Sequence, residues 1–159
     1  MTIHIAVCGP GEADRGEAAL AEEVGRRLAE AGAVVLCGGM SGVMDAAARG
    51  ADAVGGTVVG ILPGADREGA SEHLTVGIPT GMGEMRNPLL VRAADAVIAI
   101  AGEFGTLSEI AFALKIGRPV VGLGTWELAK AGRPVEAITP ASDPQEAVSL
   151  ALRLAGRRL

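Results

Sequence analysis

Tyrosine is absent from this chain, and aromatic residues of every kind make up 2% of its 159 positions. With so few rings and a net charge of −5, neither the stacking platform nor the cationic surface that nucleic acid needs is visible. Cysteine is scarce too. Cys8 and Cys37 are too few for a disulfide framework or a metal cage, and each ends an apolar run where a buried thiol is expected. His4 and His73 stand alone, so no metal site is expected. No apolar run approaches the ~18 residues that span a bilayer, and Met1-Thr-Ile-His-Ile-Ala-Val lacks the basic start of a secretory signal. The expectation is a cytoplasmic protein with no membrane or nucleic acid partner. One basic pair, Arg157 and Arg158, reads as a solvated tail.

Glycine and small aliphatic residues are abundant instead, with 24 glycines and 49% hydrophobic residues. That composition suits a tightly packed α/β domain. Apolar runs at 3–8, 34–37, 57–62, 74–78, 96–100 and 119–123 predict strands, with a possible seventh at 135–138. Helical patterns fall between them. Asp14 and Glu17 form a capping box for a helix carrying Leu20, Val24, Leu28 and Ala31 on one face, with Gly32 as its stop. Further helices are expected from Gly42 through Val54, from Pro88 to Ala94, from Thr106 to Ile116 and from Asp143 to Leu154. The Thr106 helix should bury Leu107, Ile110, Ala111 and Leu114. No repeat or linker interrupts the pattern. The prediction is one domain over 1–159, a Rossmann-like, doubly wound parallel sheet with helices on both faces.

Glycine loops follow several of these strands: Gly9-Pro10-Gly11, Gly38-Gly39, Pro63-Gly64 and Gly102 to Gly105. In an open parallel sheet the carboxyl edge is where ligands bind, so these loops point to a pocket. Gly38-Gly39-Met40-Ser41-Gly42 is either a nest of N–H groups for a phosphate or a plain tight turn. In Gly102-Glu103-Phe104-Gly105-Thr106, Thr106 is expected to cap a helix whose positive end faces the turn, an anion site. Gly38 to Gly42 is neither a phosphate-binding loop of the Gly-Lys-Ser/Thr type nor a full Gly-x-Gly-x-x-Gly fingerprint, and Gly9-Pro10-Gly11 lacks the third glycine, which disfavours nucleotide-triphosphate hydrolysis and dinucleotide redox chemistry.

Asn87 is expected to cap a helix opened by Pro88, leaving Arg86 at a helix N-terminus, where a cation is unwelcome unless an anion joins it. The alternative is a surface arginine held by Glu84 or solvent. Arg92 on the same helix is a second charge or half of an ion pair. Glu109 either acts chemically or closes a capping box with Thr106. Trp126 reads as a packing or interface residue.

Gly38-Gly39-Met-Ser-Gly42-Val-Met44, then Arg86, then Gly102-Glu-Phe-Gly105-Thr106-Leu-Ser-Glu109 resemble the motifs of the Lonely Guy (lysine-decarboxylase-like) family. The likeness runs from about Cys8 to Gly122. It implies a Rossmann-like fold, a homodimer or homotetramer, and an AMP-like ligand in the glycine crevice. For enzyme members it implies cleavage of a nucleoside 5′-monophosphate to base and ribose 5-phosphate, with Arg86 and Glu109 at the catalytic positions. Gly9, Gly38, Gly39, Ser41, Gly42, Arg86, Gly102, Gly105 and Thr106 are the expected phosphate and nucleotide contacts. Nothing in the resemblance implies decarboxylation.

The chain also departs from the enzyme pattern. Ala101 stands for Pro, Glu103 for the second Gly, Asn87 for Lys and Gly83 for Met, and only two glycines follow Cys37. The segments Met85-Arg86-Asn87-Pro88 and Gly105-Thr106-Leu107-Ser108-Glu109 are similar to a short branch that includes molybdenum-cofactor carrier proteins. That likeness implies binding of a phosphorylated pterin without turnover, and no required cofactor of its own. Two functions therefore stand side by side: a carrier of a phosphorylated nucleotide-like ligand, and a monophosphate phosphoribohydrolase.

Overall fold

The structure is a computed structural model that describes residues 1–156, so the basic pair at Arg157 and Arg158 lies outside the described residues. In chain order its elements are β1 (His4–Cys8), α1 (Arg15–Glu30), β2 (Val34–Cys37), α2 (Val43–Asp52), β3 (Val58–Leu62) and β4 (Val76–Pro79). A 3-10 turn (Gly83–Arg86) then runs into α3 (Asn87–Ala93), followed by β5 (Ala96–Ile100), α4 (Phe104–Lys115) and β6 (Val120–Leu123). A hairpin of β7 (Leu128–Lys130) and β8 (Arg133–Val135) precedes β9 (Ile138–Pro140) and α5 (Pro144–Gly156).

Seven strands form one parallel sheet in the order β4-β3-β2-β1-β5-β6-β9. The chain winds outward from β1 to β4, returns to the other side of β1, and winds outward again from β5. The expected doubly wound α/β domain is therefore the observed one. Its switch point lies between β1 and β5, which pair in the register Ile5↔Ala96 to Cys8↔Ala99. A crevice opens beyond the carboxyl ends of such strands because the loops there diverge to opposite sides. Asp95 prepares the pairing at the other end, accepting a 2.9 Å bond from the His4 N–H.

The two faces of the sheet are covered differently. Helices α1, α2 and α5 bury one apolar cluster that includes Val24, Leu28, Ala47 and Ala151. Helices α1 and α2 touch backbone to backbone: a Cβ on Gly25 would stand 2.0 Å from the Ala47 carbonyl oxygen, and one on Gly50 1.9 Å from that of Glu22. Helices α3 and α4 cover the opposite face over Leu90, Val91, Ile110 and Ala113.

The capping box at α1 is present, with Asp14 accepting from the Glu17 N–H at 2.8 Å. Its buried face is Ala21, Val24, Gly25 and Leu28; Ala31 is exposed and Leu20 half-buried, because the helix turns its small residues towards α2. Helix α4 differs more from expectation. It begins at Phe104, with Glu103 as a cap that makes no side-chain bond, so Thr106 lies inside the first turn and no capping box links it to Glu109. The buried face is correspondingly Thr106, Glu109, Ile110 and Ala113, while Ala111 is exposed and Leu107 and Leu114 are half-buried. The expected seventh strand at 135–138 resolves into the end of β8 and the start of β9. No described helix is long and apolar enough to cross a membrane.

Candidate functional site at the switch point

Among the described residues the buried polar or charged side chains are Arg86, Asn87, Thr106 and Glu109, and all four belong to the α3–α4 side. Arg86 is not a surface residue held by Glu84. The 3-10 turn carries it under the ends of β2 and β3, where Nε donates to the Ile61 carbonyl at 2.7 Å and Nη2 to the Gly38 carbonyl at 3.4 Å. Nη1 donates to the Asn87 amide oxygen. Every one of these acceptors is neutral. A buried guanidinium normally finds a carboxylate, because its desolvation is otherwise poorly offset. Gly38 makes the approach possible: a Cβ there would lie 2.5 Å from Nη2 of Arg86 and 2.6 Å from the Met44 sulfur.

Asn87 was expected to cap α3, but it is the first helical residue and the helix continues the 3-10 turn without a side-chain cap. Its amide serves another purpose. Nδ2 donates to Ser108 Oγ at 3.3 Å, and that hydroxyl donates to the Gly105 carbonyl at 2.6 Å. A chain of bonds thus ties Arg86 to the first turn of α4. Arg92 takes no part, lying exposed with its guanidinium 5.8 Å from the centre of the Phe112 ring.

Glu109 points into the same cluster, with 8% of its surface exposed. Burial pushes its pKa up to about 7, against the opposing pull of a hydrogen bond with the Cys8 thiol and of the Arg86 charge. At neutral pH this carboxyl therefore sits near half protonation. Cys8 is raised well above the ordinary thiol value by burial and by Glu109, so it stays a neutral thiol. Cys37, on the other face of the sheet, is pushed up to about 11 by burial.

The glycine loops assemble around the crevice. A Cβ on Gly9 would meet the Ile100 carbonyl at 2.7 Å, so β1 and β5 close together there. Gly102 has φ +129°, a backbone shape that side chains resist, and turns the chain sharply from β5 into α4. Ala101, beside it, is also at positive φ (48°) and is held by the Thr125 hydroxyl bonding to its carbonyl. A hollow of about 500 Å³ is lined by Pro10, Gly11, Glu12, Ser41 and Glu103, and a second of about 370 Å³ adds Gly102, Thr125 and Trp126. Ser41 is exposed and donates to the Gly11 carbonyl at 2.8 Å.

The expected residues therefore fall into two groups. Gly38, Arg86 and Glu109 converge with Cys8 in the buried cluster, whereas Gly9, Ser41 and Gly102 frame the open crevice. Gly39 and Gly42 shape the loop between them, with positive φ of 73° and 68°. Thr106 is buried, packed beneath Gly102, so its hydroxyl does not cap the helix facing the crevice. Gly105 is exposed, and a Cβ there would meet nothing within 4 Å. Glu12 and Glu103 at the rim carry charge of the wrong sign for an anion. Cys8 and Asn87 were overlooked as site residues. The signal for Cys8 was its place at the end of a strand next to Gly9, and for Asn87 its place beside Arg86 in the Met85-Arg86-Asn87-Pro88 segment.

Strand order, switch-point crevice and the buried Arg86 and Glu109 beside it define a doubly wound, Rossmann-like domain with a charged cluster at its ligand edge. The chain belongs to the SLOG cluster4 family, which it matches over residues 2–148. It is 40% identical over 147 residues to an uncharacterized protein of Archaeoglobus fulgidus, covering 92% of this chain and 93% of that one. The molybdenum cofactor binding protein of Rippkaea orientalis superposes with a TM-score of 0.89 at 34% identity, covering 97% of this chain and 98% of that one. The Moco carrier protein of Chlamydomonas reinhardtii does so with a TM-score of 0.87 at 32% identity, covering 99% of each. A probable cytokinin riboside 5′-monophosphate phosphoribohydrolase of rice (Oryza sativa subsp. japonica) is 36% identical over 93 residues. That match spans 57% of this chain and 38% of the rice protein.

Proposed function

We propose that this protein binds a phosphorylated, nucleotide-like cofactor of the molybdopterin class in the switch-point crevice and carries it without turnover. The observation that carries the reading is Arg86, a buried cation whose three acceptors are all neutral. An anion brought beside it would supply the hydrogen-bonded counter-charge that Glu109, near half protonation and not bonded to Arg86 among the described residues, provides only in part. The N–H groups of the first turn of α4 would add to the attraction, since no side chain caps them. Gly105 leaves open space at that turn, and Gly9, Gly38, Gly39, Ser41, Gly42 and Gly102 shape the rest of the cradle. The likeness to cofactor-binding and carrier proteins over nearly the whole chain supports the same reading. The cofactor would bring its own metal; the chain's residues hold, orient and shield it.

The test is retention of the molybdenum cofactor, released from a molybdoenzyme without oxygen, during gel filtration. Wild type should co-elute with molybdenum and pterin. Arg86→Ala should weaken binding by about 1.5–3 kcal/mol, the scale of a charge-assisted hydrogen bond. Equal retention by both proteins refutes the role given to Arg86. The same residues would also accommodate a nucleoside monophosphate such as AMP.

A second reading, monophosphate hydrolysis, is favoured by Glu109. A carboxyl with a pKa of about 7 is poised to exchange a proton or to steady an oxocarbenium-like sugar, with Arg86 holding the ribose or phosphate. Release of base from AMP by wild type but not by Glu109→Gln would replace the carrier reading with this one.

Assembly into a homodimer or homotetramer belongs to the proposal as well. Met82, Met85, Leu89 and Phe104 leave apolar surface exposed on the α3–α4 side. Light scattering at micromolar protein should return at least two chain masses.

A further inference from the structure

Beyond the crevice, the carboxyl edge of the sheet holds a larger hollow that the reading above does not use. It lies between the ends of β6 and β9 and the β7–β8 hairpin, with a volume of about 650 Å³. Trp126, Leu128, Val135 and Ile138 supply apolar walls, and Glu127 and Glu136 also line it. Gly124, Thr125 and Trp126 border both this hollow and the crevice, so the two adjoin.

Three observations bear on what would fit. Trp126 is the only tryptophan of the chain, and its indole packs at 5.6 Å against Phe104 of the α4 first turn, giving the hollow one broad aromatic wall. The indole N–H is buried and has no acceptor among the described residues. Glu127 and Glu136 are exposed at the rim of the hollow and meet no donor or cation among the described residues, so two solvated carboxylates face its opening. An aromatic wall with carboxylates at the rim suits a planar heterocycle that presents adjacent N–H donors. A carboxylate accepts such a pair side by side, as it does the edge of a guanidinium.

We propose that this hollow is a second subsite, which takes a fused 2-amino-4-oxo pyrimidine ring, as in a pterin or a guanine. Trp126 covers its face, and Glu127 or Glu136 accepts from its amino and ring N–H groups. The assignment rests on the carrier reading only in making this ring the far end of the same ligand; the pocket chemistry stands without it.

The probe that isolates the subsite is 6-hydroxymethylpterin, which has no phosphate, with quenching of Trp126 emission as the readout. Saturable quenching is expected, and guanosine, which presents the same amino and ring N–H edge, should compete with the pterin. Lumazine, in which an oxygen replaces the 2-amino group, should bind at least tenfold more weakly, because a site built for a donor rejects an acceptor there. The Glu127→Gln/Glu136→Gln double variant should lose at least tenfold in pterin affinity while binding inorganic phosphate as wild type does. Absence of saturable quenching at millimolar pterin overturns the subsite, as does equal binding of lumazine or an unaffected double variant. Wild type that binds phosphate but not pterin leaves the crevice reading standing and removes this one. Pterin binding without phosphate binding does the reverse.

Discussion

The two faces of the sheet are built on opposite principles. On the α1–α2–α5 face, glycines and alanines let helix backbones meet, and the buried cluster is apolar throughout. On the α3–α4 face, two helices cover the sheet and four polar side chains are buried among them. The first arrangement gains from close contact, since dense packing multiplies weak attractions and tolerates no added volume. The second gives up stability, since desolvated polar groups cost free energy unless fully partnered. What the difference teaches is that one face holds the domain together while the other is free to carry a site.

The largest effect should come from disturbing the dry face. Gly25→Ala sets a methyl 2.0 Å from a backbone oxygen, which only separation of α1 and α2 can relieve. Overpacking of this kind should cost more than about 3 kcal/mol, read as a lower urea midpoint. Loss below about 1 kcal/mol would mean that the helix contact is softer than described.

A change on the polar face should do the opposite. Between pH 4.5, the ordinary value, and about 7, native Glu109 keeps a proton that the unfolded chain has released. Stability from this group is therefore full below that window and falls as pH rises through it, by at most about 3 kcal/mol. Glu109→Gln removes the titration. The variant should be more stable than wild type at pH 8, by about 2 kcal/mol, with no such gain at pH 4.5. A denaturation midpoint that falls between pH 5 and 8 as steeply in the variant as in wild type contradicts this.

The smallest effect sharpens the contrast between glycines. Gly105→Ala meets open space, so it should stabilise α4 by about 0.5–1 kcal/mol through helix propensity alone. The same change should weaken ligand binding, because a methyl then occupies the approach to the first turn. Calorimetry with AMP and thermal unfolding of one variant would show whether the two effects separate.

How far the sequence could be read tracks the same division. The strands at 34–37 and 96–100 were legible to the residue, because uniform apolar runs met glycine or aspartate at their ends. The α1 capping box was legible for a similar local reason. The start of α4 was not: Glu103 is a weak cap, and the turn depends on the backbone of Gly102 rather than on a side-chain signal. The β7–β8 hairpin was missed because its two-residue turn uses Ala131 at φ 51° before Gly132, and alanine is no turn signal. Arg86 and Glu109 were found as residues, but their burial was invisible. A charged side chain reads as solvated until the ends of β2 and β3 close over it.

The pairing of β1 with β5 also governs how the chain meets its own synthesis. Residues 5 to 8 lie at the centre of the sheet, yet their partners at 96 to 99 leave the ribosome 91 residues later. At about 5–20 residues per second, that leaves one edge of β1 bare for roughly 5–18 s. Throughout that wait, the nascent half-sheet β1–β4 carries an open apolar edge of Ile5, Ala6 and Val7, available to a chaperone or to another nascent chain. Abundance in the cell would then depend on the speed of translation through the α3–β5 segment as much as on the stability of the finished domain.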